Sequence, residues 1–536
     1  MRQKVTKIII SQNVFTSLND FPSPALIAIS NDVIVAVDDI HTLERYRTDD
    51  TEVIDVGDRL VIPGLHDAHL HLMFGSMYET RSVNLSTAHS AEEAADLVET
   101  FAETRPTDEW IIGYGWDHTN WEKSAFPMKE TLDRLNETRP TILFHAEGHY
   151  TWVNSRALEI ARITSETIAP PFGEIVKDET GEPTGVLIET ASHFVTSIAL
   201  NFPPHEKEAL LESFLSLSAR YGVTSVNDLY ASALDAINDF ELYRAFDEAN
   251  RLTTRIHIYP ELDGNIDRAK MLRTRYNSPT FQLAGLKQFI DGVVTSHTAY
   301  MIDPYVDRPE TRGQPTQSPE RLAQLVREAD REGFQIRLHA IGDGAVRLGL
   351  DVFEQAAEQN GMNDRRHAIE HIEIIDPDDV KRFKKLNVIP SVQPSHLALM
   401  PKESHTLRVT EEKHPYIYPI QTLLKEAGRI AFSTDFPIAP LNPMEQLYYA
   451  LTRYDHQGNP WNEIERISLA EALKAYTIGA AYSTHRDDQL GTIESGKYAD
   501  LVIFEKNLFD LSPEDIRETN VAYTIMNGAI VYDANL

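Results

Sequence analysis

The sequence predicts an α/β protein: a TIM-type (β/α)8 barrel with an inserted α/β subdomain and a small β-sandwich domain formed from both chain termini. Three observations predict it. Eight apolar strand-like runs, several followed by helix-like stretches, fill the middle of the chain, the pattern of a parallel sheet covered by helices. Both ends of the chain read instead as short strands separated by turn residues, with no helical periodicity. Finally, about 150 residues separate the first two runs of the middle, where a helical crossover needs only a few tens.

Residues 1–60 supply the N-terminal part of the sandwich through Val5–Ile10, Ala25–Ile29 and Val33–Val37. Residues 61–79 carry barrel strand one, Val61–Asp67, within the stretch VIPGLHDAHLH. Side chains alternate along a strand, so His69 and His71 point to one side with Leu70 opposite. Two such imidazoles can chelate one divalent cation. The pair alone is weak, because 20 His in 536 residues would give about 0.7 His-x-His pairs by chance.

Residues 80–207 are read as the inserted subdomain, with Thr141–His145 as one of its own strands. Residues 208–487 complete the barrel through Gly222–Asn227, Thr254–Tyr259, Ala284–Ile290, Gln335–Leu338, Ala368–Glu370, Val388–Val392 and Arg429–Thr434. Residues 488–536 return to the sandwich through Leu501–Phe504, Tyr523–Met526 and Ala529–Tyr532. Asn527-Gly528 lies between the last two, a strong hairpin signal.

Four polar residues lie in or close separate barrel strands: Lys287 in LAGLKQFIDG, His339 in QIRLH, His371 in HAIEH and Asp435 in IAFSTD. A barrel strand has no solvated face, so a lysine there must be paired, neutral or chemically modified. Each residue singly fits a satisfied buried polar group. Four of them, each able to bind metal without cysteine, point to a metal site.

Composition is that of an ordinary globular chain, 42% hydrophobic and 25% charged. The net charge of −32, from 50 Lys+Arg against 82 Asp+Glu, disfavours nucleic acid and anionic membranes as partners. The absence of cysteine excludes disulfides, thiolate nucleophiles and Cys-ligated zinc. The apolar run near the N-terminus is too short for a signal peptide, and no apolar stretch reaches about 18 residues. A cytoplasmic protein with a small-molecule substrate is expected, assembled as a homodimer.

The ordered set His69-x-His71, Lys287, His339, His371 and Asp435 resembles the amidohydrolase superfamily of metal-dependent hydrolases, in particular its branch of YtcJ-like proteins and N-substituted formamide deformylases. PGLHDAHLHL resembles the strand-one signature, and GYGWD (Gly113–Asp117) with EGHYTWVNSRAL (Glu147–Leu158) resembles the insertion of that branch. PTGVLIE, GVTSVND, IDGVVTSHTA, HAIGDGA and SVQPSH extend the likeness, as do LAEALKAYTIGAAY and GTIESGKYADLVIF near the C-terminus. His66 departs from the pattern, since a small or apolar residue is commoner there.

The resemblance implies one or two divalent metals, zinc above all, at the strand ends. His69, His71 and Asp435 would hold the more buried ion and His339 with His371 the second. Lys287 would bridge them as an N6-carboxylated lysine, or Glu189 in its place. Asp435 would take a proton from the metal-activated water and deliver it to the leaving nitrogen. His149 and Glu189 of the insertion would contact substrate, with His149 able to donate to its carbonyl oxygen. Tyr114, Trp116, Trp121, Tyr150 and Trp152 would line a pocket or form the subdomain core. The expected activity is hydrolysis of a non-peptide C–N bond of the amide or N-formyl type. The alternatives are a one-metal deaminase on the same barrel, against which Lys287 argues, and an inactive binding or regulatory barrel, against which the full ligand set argues.

Overall fold

The apolar runs in the middle of the chain are buried along their length, as strands covered on both faces must be. The computed structural model describes residues 4–135, 138–230 and 236–535. It divides into two units: Met1–Leu70 with Leu215–Leu229 and Tyr243–Leu536, and His71–Phe214 with Tyr230–Leu242.

In the first unit, strand one (Leu65–Leu70) pairs in parallel with strand two (Val223–Leu229), and strand two with strand three (Arg255–Tyr259). Strand three pairs with Phe281–Leu283; beyond its end, a bridge from Glu261 to Lys287 reaches strand four (Gly285–Phe289). Strands five (Gln335–Ala340), six (Ala368–His371), seven (Ile389–Val392) and eight (Ala431–Phe432) continue the parallel order. A parallel bridge from Leu70 to Phe436 returns the chain from beyond strand eight to strand one. This mixed α/β arrangement, parallel sheets of four and five strands joined by those two bridges, is consistent with a (β/α)8 barrel.

Strand one begins later than the apolar run suggests. Leu60–Pro63 is a separate strand, paired with Lys7–Val14 and Leu501–Phe504 in the other sheet of this unit. The chain changes sheets at Gly64, where a Cβ would stand 2.0 Å from Thr224 Oγ1. One run feeds two sheets, and both bury it, so hydropathy cannot mark the junction. Gly64→Ala is therefore expected to cost about 1–3 kcal/mol of stability through overpacking. A lowered thermal midpoint would register this, and an unchanged one would show slack at the junction.

That other sheet draws eight strands from both chain ends. Its order is Ala529–Asp533, Val521–Met526, Leu501–Phe504, Leu60–Pro63, Lys7–Val14, Ser23–Ser30 and Val33–Asp38, with Glu52–Asp55 also paired to Lys7–Val14. Alternation sorts its side chains. Ile8 and Ile10 pack with Leu26 and Ala28, whereas Ile9 packs with Ile27, Val61 and Ile503. Asn527 and Gly528 both take positive φ, 50° and 72°, as a two-residue type I′ hairpin requires.

The second unit holds a six-stranded sheet ordered Gly173–Lys177, Pro183–Glu189, Tyr150–Val153, Thr141–His145, Ile111–Trp116 and Val83–Asn84. Trp116, Trp121, Tyr150 and Trp152 belong to its apolar core with Leu85, Leu143 and Val186. Tyr114 stacks on Tyr78 with ring centroids 4.2 Å apart. Among the described residues, no helix is long and apolar enough to cross a membrane.

Candidate metal centre

Parallel strands deliver their C-terminal ends to one side of a sheet, and polar residues that close such strands gather there. His69 lies one residue before the end of strand one, and His71 follows that strand directly. One ligand atom from each of His69, His71 and Asp435 lies within 4.8 Å of the others. Asp435 follows strand eight, with its backbone N–H donating to His69 O at 2.9 Å. His371 and Asp435 sit at φ 76° and 58°. Positive φ is uncommon for residues with a Cβ, and strain of this kind clusters at functional sites.

The ring of His69 is oriented from behind. Its Nδ1 donates to Glu370 Oε2 at 2.9 Å, and Glu370 Oε1 accepts from Arg337 Nη1 at 2.8 Å, all three side chains being buried. Burial alone would push the Glu370 carboxyl up, but Arg337 and His69 hold it down at about 2, so it stays ionised. With Nδ1 occupied, His69 Nε2 keeps its lone pair and stands 3.4 Å from Asp435 Oδ1. This is the carboxylate–histidine support found behind metal ligands. Burial, followed by the nearby Lys287 charge, lowers His69 to about 4 and favours the neutral, ligating imidazole. Glu370→Gln is expected to weaken metal binding by about 10–100-fold and, by leaving Arg337 buried without a counter-charge, to cost about 3–5 kcal/mol. Chelator competition and thermal unfolding would measure the two losses, and wild-type affinity would remove the orienting role.

Lys287 is fully buried in strand four, and its Nζ has no hydrogen-bond partner. It stands 5.2 Å from the centroid of the Phe289 ring. Burial brings its pKa down to about 8 against the opposing pull of Glu370 and Asp435. A buried amine with no acceptor, beside lone-pair imidazole and carboxylate donors, fits a site completed by a cation.

His339 ends near this group, its ring centroid 4.5 Å from that of His371. Its Nε2 faces Gly292 O at 3.3 Å, which leaves Nδ1 as the basic nitrogen. His371 Nδ1 bonds Gln393 Oε1 at 3.0 Å, and Gln393 Nε2 donates to Ser433 Oγ at 2.7 Å. His396, which the sequence does not single out, forms a second close group with His371 and Asp435. Its buried Nε2 lies 3.8 Å from Asp435 Oδ2 and has no hydrogen-bond partner, while Nδ1 is 3.9 Å from Glu373. The only signal for it was its place in SVQPSH, after strand seven.

His149 and Glu189 belong to the second unit, where Nδ1 and Oε2 are 2.8 Å apart and Glu189 N–H donates to His149 O. A third close group, Asp117, His118 and His145, lies in that unit as well. There His145 Nδ1 accepts from Glu147 N–H at 3.2 Å, and its Nε2 stands 3.5 Å from Asp117 Oδ1.

Residues 52–532 match the amidohydrolase family. The chain is 31% identical to Protein LONG AFTER FAR-RED 3 of Arabidopsis thaliana over 98% of this chain and 91% of that protein. It is 27% identical to the N-substituted formamide deformylase of Arthrobacter pascens, over 90% of each. Its fold is similar to that of an uncharacterized metal-dependent hydrolase from Pyrococcus horikoshii, with TM-score 0.77 and 24% identity over 95% of this chain and 99% of that one. With so nearly continuous a match, and with candidate metal-ligand groups at its strand ends, the chain belongs to the amidohydrolase family.

Proposed function

We propose that the protein is a metal-dependent hydrolase that cleaves a non-peptide C–N bond of the amide or N-substituted formamide type. The observation that carries this reading is the approach of His69 Nε2 to Asp435 Oδ1, 3.4 Å apart within a close group that includes His71, with the His69 ring oriented by Glu370 and Arg337 behind it. The likeness to a formamide deformylase supports the choice of bond. His69, His71 and Asp435 would hold one divalent cation, zinc being the first candidate, and His339 and His371 a second, with an N6-carboxylated Lys287 as the bridge between them. A cation bound there supplies a water acidified toward neutrality and a polarised carbonyl.

The chain's own residues do the rest. Asp435 accepts a proton on a carboxylate oxygen and passes it to the leaving nitrogen, which departs poorly as an anion. Glu370 holds His69, the neighbour of that carboxylate, in one tautomer. The apolar strands around Lys287 keep bulk water out and so strengthen each charge interaction. His149 and Glu189 are the proposed substrate contacts.

Elemental analysis of the purified protein, followed by assays on a panel of N-substituted formamides and simple amides, tests the reading. Formate or carboxylate released together with an amine, dependent on bound metal, is the expected result. Ammonia released from an amidine-like ring substrate would favour a deaminase. A metal-loaded protein that cleaves nothing in the panel would overturn the assignment of bond type.

A further inference from the structure

The opposite end of the barrel holds a charge that the hydrolytic site does not use. Arg486, in the segment after helix Ala480–Ser483, is only 5% exposed. Its Nη2 donates to Pro279 O at 3.2 Å and its Nη1 to His257 Nε2 at 3.4 Å, while Nε has no partner. No carboxylate pairs with it among the described residues. Arg255, at the start of strand three, donates through Nη1 to the same Pro279 carbonyl at 3.1 Å. Arg255, however, is neutralised by Asp500, through Nε at 2.7 Å and Nη2 at 3.1 Å.

Two guanidinium groups thus converge on one carbonyl with a single buried carboxylate between them. His257 does not help, since burial and the Arg486 charge keep its ring neutral, well below the usual imidazole range. A buried charge left without a counter-charge is costly, and such groups are normally paired. Beside Arg486 lies a cavity of about 460 Å³, lined also by Arg273, Tyr498, Gln282, Ser278 and the exposed Asp488. Arg273 has its guanidinium stacked 4.1 Å from the Phe334 ring centroid and donates to Glu332 O at 3.2 Å. The lining therefore offers two guanidiniums with spare donors, and hydroxyl and amide groups around them. That is the chemistry that receives a planar or tetrahedral oxyanion.

We infer that this cavity, at the N-terminal end of the barrel strands and away from the metal centre, is a binding site for a small oxyanion, a phosphate or carboxylate, with Arg486 as its buried counter-charge. The inference does not depend on the reaction proposed above. A cavity of this volume has room for the rest of a small phosphorylated or carboxylated metabolite, so the anion can be free or part of a larger molecule.

Titration calorimetry of the metal-loaded protein with inorganic phosphate, at ionic strength fixed with potassium chloride, tests it. Acetate and glycerol 3-phosphate form parallel arms. Saturable phosphate binding by the wild type, lost or weakened at least tenfold in Arg486→Met, is expected. A higher affinity for glycerol 3-phosphate than for phosphate would identify an esterified ligand, and preference for acetate a carboxylate; either supports the site. Phosphate bound at the metal centre would persist unchanged in Arg486→Met and would overturn the inference, as would no binding beyond the chloride control. Thermal unfolding gives a second reading that needs no variant: phosphate should raise the wild-type midpoint more than chloride at equal ionic strength. Equal shifts would overturn the inference even if Arg486→Met fails to fold.

Discussion

Asp435→Asn is expected to keep its fold and most of its metal while its kcat on an amide substrate falls by about 10²–10⁴-fold, the usual worth of a positioned general base. The substitution preserves shape and one ligand oxygen. The backbone bond from residue 435 to His69 O at 2.9 Å does not involve the side chain, so position is retained. What is lost is the charge and basicity of the carboxylate, whose Oδ1 stands 3.4 Å from His69 Nε2 and whose Oδ2 stands 3.8 Å from His396 Nε2. An amide cannot take a proton from water and hand it on. The loss should fall mainly on kcat, because substrate binding elsewhere is untouched. Hydrolysis within a few-fold of wild type by the metal-loaded variant would refute the proton-transfer role. Loss of all metal would instead make Asp435 chiefly a ligand and leave the base to be sought elsewhere, His396 being the nearest candidate.

The barrel strands were legible because a strand buried on both faces must be apolar throughout, and such runs stand out between helical stretches. His339, His371 and Asp435 were legible for the converse reason: a polar residue that closes an apolar run needs an explanation. Residues that orient the site were not. Glu370 and Arg337 are charged residues inside strands, and the sequence cannot say that Glu370 meets His69, 301 residues away, on one oxygen and Arg337 on the other. His396 follows Pro394 in a short 3₁₀ turn rather than a strand, so alternation gave it no direction. The same limit applies at Gly64, where one apolar run divides between two sheets, and at Ala284, where a strand-like run splits into Phe281–Leu283 and Gly285–Phe289. Apolar pattern reports burial; it does not report which neighbour does the burying.

The aromatic group of the second unit shows that ambiguity from the other side. Trp116, Trp121, Tyr150 and Trp152 suited either a pocket lining or a core, and the structure packs them in the core. Large rings close together in sequence usually bury one another, since each removes about 150–250 Å² from water.

Lys287→Ala is expected to lower bound metal and activity together, by more than the loss of one weak ligand would. The side chain is fully buried and its Nζ has no hydrogen-bond partner, so no existing hydrogen bond is broken by its removal. Its contribution must come through a cation or through modification. In the proposed carboxylation, the neutral amine nitrogen bonds to the carbon of carbon dioxide and releases one proton, giving an anionic carbamate that can bridge two cations. Only the unprotonated amine reacts. Burial sets its pKa at about 8, so the reactive fraction is small at pH 6, about half at pH 8 and dominant above. Metal loading of the apo protein in bicarbonate should therefore rise with pH across that window in the wild type and stay flat in Lys287→Ala. Short carboxylates such as formate or propionate, added with metal, should partly restore both metal and rate to the variant by occupying the space the side chain leaves. Full metal content and wild-type turnover in Lys287→Ala would exclude the bridge. Metal loss that no carboxylate rescues, with the same pH dependence in both proteins, would leave Lys287 a structural residue and move the bridging role to another carboxylate.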